Sequence, residues 1–349
     1  MFDHKHYVPA LKGKRAEFPA LGALASKGRI TPLIEAVPSA EPREVPRRMS
    51  TYWPADAPYF IDLLFLDDPD DNTTPAPDTH PLRQCFSDVE DRDQVAIPVT
   101  GISRSPGYQS AVEQVVSEQQ RGVCIRLTAD DFEEDIEDLD ETLQAALQIF
   151  ALGPGDTDII LDAGSVANAS AGVVAQLHRS HLDLMPNLDE WRTVTVLASA
   201  FPYSLAPLIR GQWNPRNRHD WRGWRQLVTG THRPTRLPSF GDYAIAHPDL
   251  PPEGRATILA QLRYATPESW LIWKGSNVFS HPNGFNQFFA ICEDMITRPE
   301  YRGQAFSWGD AEIQRKATNH DSPGNAEIWR RIGTSHHLET VLDQIANLP

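Results

Sequence analysis

The chain has 349 residues, 40% of them hydrophobic and 9% aromatic, which supports a substantial core rather than disorder. Its net charge of −15 argues against general binding to nucleic-acid backbones or to anionic membranes. No stretch approaches the ~20 apolar residues of a membrane span, the first residues lack the apolar segment of a secretory signal, and the few scattered cysteines match neither a disulfide framework nor a zinc knuckle. We therefore expect a cytoplasmic protein.

Short apolar runs recur along the chain, and most are separated by gaps long enough for a helix. Runs of this kind predict parallel strands that alternate with helices, and eight of them predict a TIM-like (β/α)8 barrel. They cover residues 31–35, 60–66, 95–100, 123–127, 158–162, 193–199, 241–247 and 270–274. The chain length suits one barrel domain over residues 1–349 with irregular insertions, and two ordinary domains are the alternative.

The segments between the runs are irregular in the first part of the chain. Residues 7–14 have a strand-like or extended pattern, and residues 17–27 predict a short helix. Residues 38–58 contain five prolines and predict an extended excursion rather than a helix. Residues 67–81 are acidic and proline-rich, which is typical of a mobile surface loop.

The later gaps predict helices more clearly, and the C-terminal segment 275–349 is expected to be helical and to close the barrel. The predicted helices cover residues 109–120, 129–149, 166–181, 205–212, 286–297, 308–317 and 337–348. Residues 214–236 form an insertion that is rich in Arg, Trp and His. Its side chains could stack on bases and grip phosphate, or its Trp residues could pack inward while its Arg residues pair with acidic groups.

Several blocks of sequence are similar to those of the Beta protein family, which is named after a protein of a satellite phage. The blocks are Tyr7-Val-Pro-Ala-Leu-Lys-Gly-Lys, Glu17-Phe18, Thr31-Pro-Leu-Ile-Glu35, Gly241-Asp-Tyr, Arg263-Tyr264, Lys274-Gly275, Trp308-Gly-Asp, Trp329 and His336-His337. The resemblance runs from Tyr7 to the C-terminus and implies a phage or mobile-element setting, in a defence or toxin-control module with a growth-inhibiting partner. It carries no catalytic motif.

The carboxyl ends of barrel strands carry the chemistry of this fold, so the polar residues that end the runs form the candidate site. These are Glu35, Arg126, Asp162, Ser199, His247 and Lys274. Glu35 and Asp162 could hold a divalent cation or divide the acid and base roles, or each could pair with backbone amides or a cation as part of the barrel structure. Lys274 could contact an anion, act as a nucleophile or lie at the rim.

Charged residues near these strands are candidates for binding an anion. Lys12 and Lys14 flank Gly13 and suggest a phosphate or carboxylate contact, with a solvated turn as the alternative. Arg126 interrupts an apolar strand and requires a partner, either Asp162 or a ligand. Asp242 and Tyr264 offer further polar groups for a ligand, although Asp242 would also suit a cap or turn.

His336 and His337 favour a structural role, because adjacent positions face different sides of a helix. The nucleophile-elbow, zinc-protease, paired-cysteine, dinucleotide and Walker motifs are absent from the sequence. Three hypotheses remain: a barrel that binds an anionic small molecule or nucleotide in a defence module, a non-catalytic module that neutralises or senses a partner protein of the same locus, and a metal-assisted hydrolase or phosphodiesterase.

Overall fold

The computed structural model describes residues 2–39, 41–67, 79–132, 136–251 and 258–348. Eight parallel strands of this part of the chain close into a barrel, which confirms the predicted TIM-like fold. In their order around the barrel they are β1 (Tyr7–Leu11), β2 (Leu33–Glu35), β3 (Tyr59–Asp62), β4 (Ala96–Thr100), β5 (Val123–Thr128), β6 (Thr157–Ser165), β7 (Thr193–Ser199) and β9 (Ser239–Asp242).

A second, three-stranded antiparallel sheet lies beside the barrel. It has the order β10-β11-β8 and consists of β10 (Leu259–Ala265), β11 (Ser269–Asn277) and β8 (Gln212–Asn217). The helices are α1 (Glu17–Gly22), α2 (Glu44–Tyr52), α3 (Pro81–Glu90), α4 (Pro106–Gln119), α5 (Ile136–Phe150), α6 (Ala171–Leu184), α7 (His219–Thr229), α8 (Gln287–Ile296), α9 (Trp308–Asn319) and α10 (Ala326–Ala346). No helix in the described ranges is both long and apolar enough to cross a membrane.

Side-chain caps set the starts of several helices. Ser105 accepts a hydrogen bond from the backbone N–H of Tyr108 at the start of α4, and Pro106 fills the first helical position, where its missing N–H costs nothing. Ser170 and Ser307 cap α6 and α9 in the same way. Local sequence therefore determines where these three helices begin.

One of the eight predicted barrel strands lies outside the barrel, and one strand of the barrel is not among the eight predicted runs. The first strand is β1, in the extended opening segment, and it pairs in parallel with both β2 and β9. The run 270–274 belongs to β11, which is antiparallel to β10 and β8 and lies outside the barrel. A short buried apolar run looks the same in either sheet, because its pairing partner is set by distant parts of the chain.

Several predicted segments also differ from the structure. The prediction that residues 38–58 are extended is wrong, because α2 occupies part of them and tolerates Pro46 in its first turn. Residues 205–212 are not a helix, since Gln212 begins β8. The last helix begins at Ala326 rather than at residue 337. Of the predicted loop 67–81, residues 68–78 lie outside the described residues, and Pro81 begins α3.

The insertion 214–236 contains the end of β8 and all of α7. Trp221 and Trp224 are buried and their rings pack against Phe240 of the barrel. Arg225 pairs with the carboxylate of Glu268 at 2.7 Å. The described side chains therefore follow the packing interpretation, and these two indole rings are not exposed for stacking on bases.

Helix α10 packs against both the barrel and the antiparallel sheet. Its residues Leu338, Val341 and Ile345 belong to the apolar cluster between barrel strands and outer helices. Trp329 and Ile332, nearer its start, belong to a separate cluster with the antiparallel sheet, α8 and α9. Within the described residues, the segment 275–349 therefore contains the end of β11 and three helices, and these helices pack with the antiparallel sheet and the barrel.

Candidate functional site

The guanidinium of Arg126 lies at the centre of a buried network at the carboxyl ends of the barrel strands. Its Nη1 donates to Glu35 Oε1 at 2.9 Å and to Asp62 Oδ2 at 2.7 Å. Its Nη2 donates to Asp162 Oδ2 at 2.6 Å and to the hydroxyl of Tyr243 at 2.6 Å. The Tyr243 hydroxyl donates in turn to Asp162 Oδ2. Arg126 thus has the predicted partner Asp162 together with two further carboxylates.

Two more cations complete the network. Lys12 Nζ lies 2.6 Å from Glu35 Oε2, and Arg104 Nη2 lies 2.9 Å from Asp62 Oδ1. Three cationic side chains in the described residues therefore face three carboxylates. All six are almost fully buried, and because buried charges are costly unless paired, the balance explains why the network is tolerated.

Each carboxylate of the network is already bonded to one or two of these cations. Asp162 also accepts a hydrogen bond on Oδ1 from the backbone N–H of Gly164 at 2.9 Å. A divalent cation between Glu35 and Asp162 would have to displace Arg126. Within the described ranges, no group of three or more His, Cys, Asp or Glu side chains is arranged to hold a metal ion.

A cavity of about 120 Å³ lies next to the network, and we call it the cationic pocket. Lys12 belongs to both the network and the pocket lining. The ionisable nitrogen-bearing side chains that line the pocket are Lys12, Lys14, His247, Arg263 and Arg330. Asp249 is the one carboxylate among the described lining residues. The pocket is therefore suited to a negatively charged ligand.

The pocket cations beyond Lys12 are poorly neutralised by the described part of the chain. Arg263 donates to the carbonyl oxygen of Ile245 at 2.6 Å and to the amide oxygen of Gln261, both of which are neutral. No hydrogen bond or close ion pair joins the ammonium group of Lys14 to a described residue, although the carboxylate of Glu17 attracts it from a longer distance. Arg330 reaches Glu17 only at 3.8 Å. Positive charge thus exceeds negative charge at this site.

Burial and mutual repulsion act on the titration of these groups. Burial lowers the pKa of Lys14 to about 8, and the neighbouring Arg330 adds to the effect. Burial and Arg330 also lower the pKa of Arg263 to about 9. Burial lowers the pKa of His247, so its imidazole is neutral near pH 7. A bound anion would relieve the repulsion that these shifts report.

Lys274, Tyr264 and Asp242 were predicted for the site, but they do not line the cationic pocket. The placement of Lys274 at the end of a barrel strand is wrong: it lies on β11, and its Nζ donates to the carbonyl oxygens of residues 206 and 208 at 2.6 and 2.8 Å. Tyr264 lies on β10, where its hydroxyl donates to Asp310 at 2.7 Å. Neither residue lines the cationic pocket.

Asp242 lies on barrel strand β9, and its carboxylate is hydrogen-bonded to other buried side chains. Its Oδ1 accepts from the Tyr7 hydroxyl at 2.5 Å, and its Oδ2 bonds to His337 Nε2 at 2.7 Å. Trp270 Nε1 donates to His337 Nδ1 at 3.3 Å, so the imidazole hydrogen resides on Nε2. His336 bonds instead to Asp310 at 2.8 Å. The two histidines therefore lie inside α10 as buried structural groups with different partners.

Some residues of the site gave little signal in the sequence. Asp62 is an acid within an apolar strand run, the same pattern that singled out Arg126, and it could have been found in that way. Arg104 follows β4 in a loop, and Arg330 lies on α10 far along the chain. Only the fold brings these two to the barrel mouth.

Ser199, a predicted strand-end residue, bonds to the carbonyl oxygen of Ala246.

The sequence model of the Beta protein family matches residues 7–343. The chain belongs to the Beta protein family. The match covers the whole barrel, the antiparallel sheet, the Arg126 network and every residue that lines the cationic pocket. No curated protein matches the chain. The Beta-family assignment therefore covers the site without assigning a reaction to it.

Proposed function

We propose that this Beta-family protein binds a small phosphate-bearing molecule in the cationic pocket at the carboxyl end of its barrel. The observation that carries the proposal is the excess of cationic side chains over carboxylates in the described lining of one cavity. Lysine and arginine are the side chains that proteins use most for phosphate, and a partly buried site strengthens each charge-assisted hydrogen bond.

The Arg126 network supports this binding by holding Lys12 in place. Lys12 is fixed between Glu35 and the backbone carbonyl of Pro248, and its ammonium group lies 4.5 Å from the ring centre of Phe65. Glu35 and Asp162 act in this proposal as positioning residues, because their oxygens are bonded to Lys12 and to Arg126. Lys274 supports the segment before β8 rather than the ligand.

The biological setting we propose is a phage-defence or toxin-control module in the cytoplasm. Membership of the Beta protein family supports this setting, since the namesake protein belongs to a satellite phage. In such a module, binding of the anion would either signal infection or lower the free concentration of the anion in the infected cell. A barrel that instead captures a partner protein would not need a cationic pocket at its mouth.

The binding proposal is tested by titrating the protein with inorganic pyrophosphate in a calorimeter. Lys14→Gln is expected to weaken binding about tenfold, because one charge-assisted contact is lost. Lys27→Gln is the matched control, since Lys27 is also a half-buried lysine of the N-terminal segment but bonds to the carbonyl oxygens of Gly22 and Leu24. Equal binding by wild type and both variants would contradict the proposal.

The same pair of variants tests the setting in cells. Phage plating on a host that carries the native locus should improve with Lys14→Gln and remain low with Lys27→Gln. Protection that is unchanged by a variant shown to have lost pyrophosphate binding would separate the defence role from the pocket.

A further inference from the structure

A second cavity, of about 220 Å³, adjoins the cationic pocket and shares Arg263 and Arg330 with it. We call it the aromatic cavity. Its apolar lining consists of Ile245, Ile258, Leu259, Phe285, Phe288, Ala326 and Trp329. The two arginines thus separate a site for negative charge from a site for an apolar group.

The walls of the aromatic cavity are flat and held in place. The rings of Phe288 and Trp329 stack with their centres 3.8 Å apart and their planes 5° apart. Trp329 Nε1 donates to the carbonyl oxygen of Pro323 at 2.8 Å, which fixes the indole. The ring of Phe285 is half-buried at the edge of the stack. Because Phe288 and Trp329 cover each other's faces and are buried, the surfaces left for a flat ligand ring are the half-buried ring of Phe285 and the planar guanidinium groups.

One polar group of the cavity remains available for recognition. Gln261 lines the cavity, and its amide oxygen accepts hydrogen bonds from Arg263 at 3.2 and 3.4 Å. Its amide nitrogen has no hydrogen-bond partner among the described residues and can donate to a ring nitrogen or carbonyl of a ligand. An aliphatic chain would have no use for such a donor, whereas the edge of a nucleobase would accept from it.

We infer that the ligand is a nucleoside phosphate, with its phosphate in the cationic pocket and its base in the aromatic cavity. The inference rests on the proposed anion binding and adds the identity of the group attached to the anion. The inference concerns binding alone and includes no chemical step. It follows from the position of a cationic cavity next to an apolar one.

The test compares ribose 5-phosphate with the four common nucleoside 5′-monophosphates by calorimetry. At least one nucleotide is expected to bind about ten times more tightly than ribose 5-phosphate, because only the nucleotide carries a base that can stack. Phe285→Leu is expected to abolish this difference without changing the affinity for ribose 5-phosphate. Phe289→Leu is the control: Phe289 lies in α8, one turn after Phe285 and outside both cavities, so the variant should leave the difference unchanged.

The outcomes separate the inference from the proposed function. If ribose 5-phosphate and all four nucleotides bind equally, the base makes no contact and the inference is overturned, while anion binding stands. If octyl phosphate binds as tightly as the best nucleotide, the cavity selects apolar bulk rather than a base, and the inference is again overturned. If neither pyrophosphate nor ribose 5-phosphate binds, the proposed function itself fails.

Discussion

At the scale of single residues, the charge balance around Arg126 is the feature on which the barrel mouth depends. The side chain is almost fully buried and bonds to Glu35, Asp62 and Asp162. Burial alone would lower the pKa of Arg126, but Tyr243 and the carboxylates outweigh it and raise the pKa well above its ordinary value. The residue is therefore a permanent cation that the surrounding carboxylates require.

Replacing Arg126 with methionine should destabilise the protein strongly. The substitution leaves carboxylates buried with too little positive charge, and breaking a buried ion pair in this way costs about 3–5 kcal/mol. Urea denaturation measures the loss. Arg298→Met is the control, since Arg298 is 30% exposed and lies 3.3 Å or more from its acidic partners, and it should remain within about 1 kcal/mol of wild type. Similar costs for the two variants would contradict the pairing argument.

The lowered pKa of Lys14 predicts that anion binding depends on pH. The ammonium form attracts anions, so the affinity for sulfate, whose charge is constant in this range, should fall by up to about tenfold per pH unit above about pH 8. Lys12, Glu17, Arg263 and Arg330 are the charged neighbours that act on this titration.

Calorimetry between about pH 6.5 and 9.5 checks this dependence, because the range spans the lowered pKa of Lys14. Burial lowers the pKa of Arg263 to about 9, so its titration adds to the decline in the upper part of this range. Lys14→Gln should bind weakly and show a flatter profile. A decline of equal steepness in wild type and variant would assign the titration to another group.

At the scale of elements, close contact between α10 and β10 positions one wall of the cationic pocket. A Cβ atom at Gly333 of α10 would lie 2.9 Å from Ile245 Cδ1 and 3.0 Å from the carbonyl oxygen of Arg263. Only glycine allows the helix to approach this strand so closely. Arg330 precedes Gly333 by less than one helical turn, so the approach also sets the position of its guanidinium.

Gly333→Ala should therefore cost about 1–3 kcal/mol by overpacking and should also weaken pyrophosphate binding, since it displaces Arg330 and Arg263. Thermal unfolding and calorimetry give the two readouts. Gly172→Ala in α6 is the control, because the nearest atom to its added Cβ is 4.0 Å away, and it should change stability by no more than about 1 kcal/mol. Unchanged pyrophosphate affinity in Gly333→Ala would argue against a pocket wall set by α10.

At the scale of the whole molecule, Asp242 joins the last barrel strand to the C-terminal helix. It is completely buried and bonds to Tyr7 of β1 and to His337 of α10. Burial acts to raise the pKa of Asp242, but His337, Arg218 and Tyr7 outweigh it and hold the pKa below its usual value. Burial keeps His337 neutral by lowering its own pKa, so the imidazole donates its single hydrogen to the carboxylate.

Asp242→Asn should cost about 1–3 kcal/mol without changing pyrophosphate affinity, because the charge-assisted bonds of a buried group are lost outside the pocket. A depressed carboxyl pKa contributes stability above the unfolded value of about 4, and this contribution disappears as the pH falls through the folded pKa. The deficit of Asp242→Asn in urea denaturation should therefore be larger at pH 7 than near pH 3.

Asp183→Asn, at an exposed position of α6, is the control and should match wild type at both pH values. Loss of pyrophosphate binding in Asp242→Asn with unchanged stability would instead support the ligand-contact role predicted for Asp242 from the sequence.

Local pattern was sufficient to predict the barrel class and the need of Arg126 for a partner, with Asp162 and a ligand as the alternatives. Each strand buries a short apolar run, and a charge inside such a run must be paired. Asp162 ends the apolar run of the next strand, β6, and the structure pairs it with Arg126 across β5 and β6. These inferences need only the periodicity of the chain and the cost of burying an unpaired charge.

The tertiary structure alone settled which strands close the barrel and which cations face the pocket. The run containing Lys274 has the same apolar pattern as a barrel strand, yet its hydrogen bonds go to β8 and β10. Lys14 and Arg330 lie at opposite ends of the chain, and no local pattern relates them. Strand pairing and helix docking depend on contacts between distant residues, whose free energy is not carried by any single stretch of sequence.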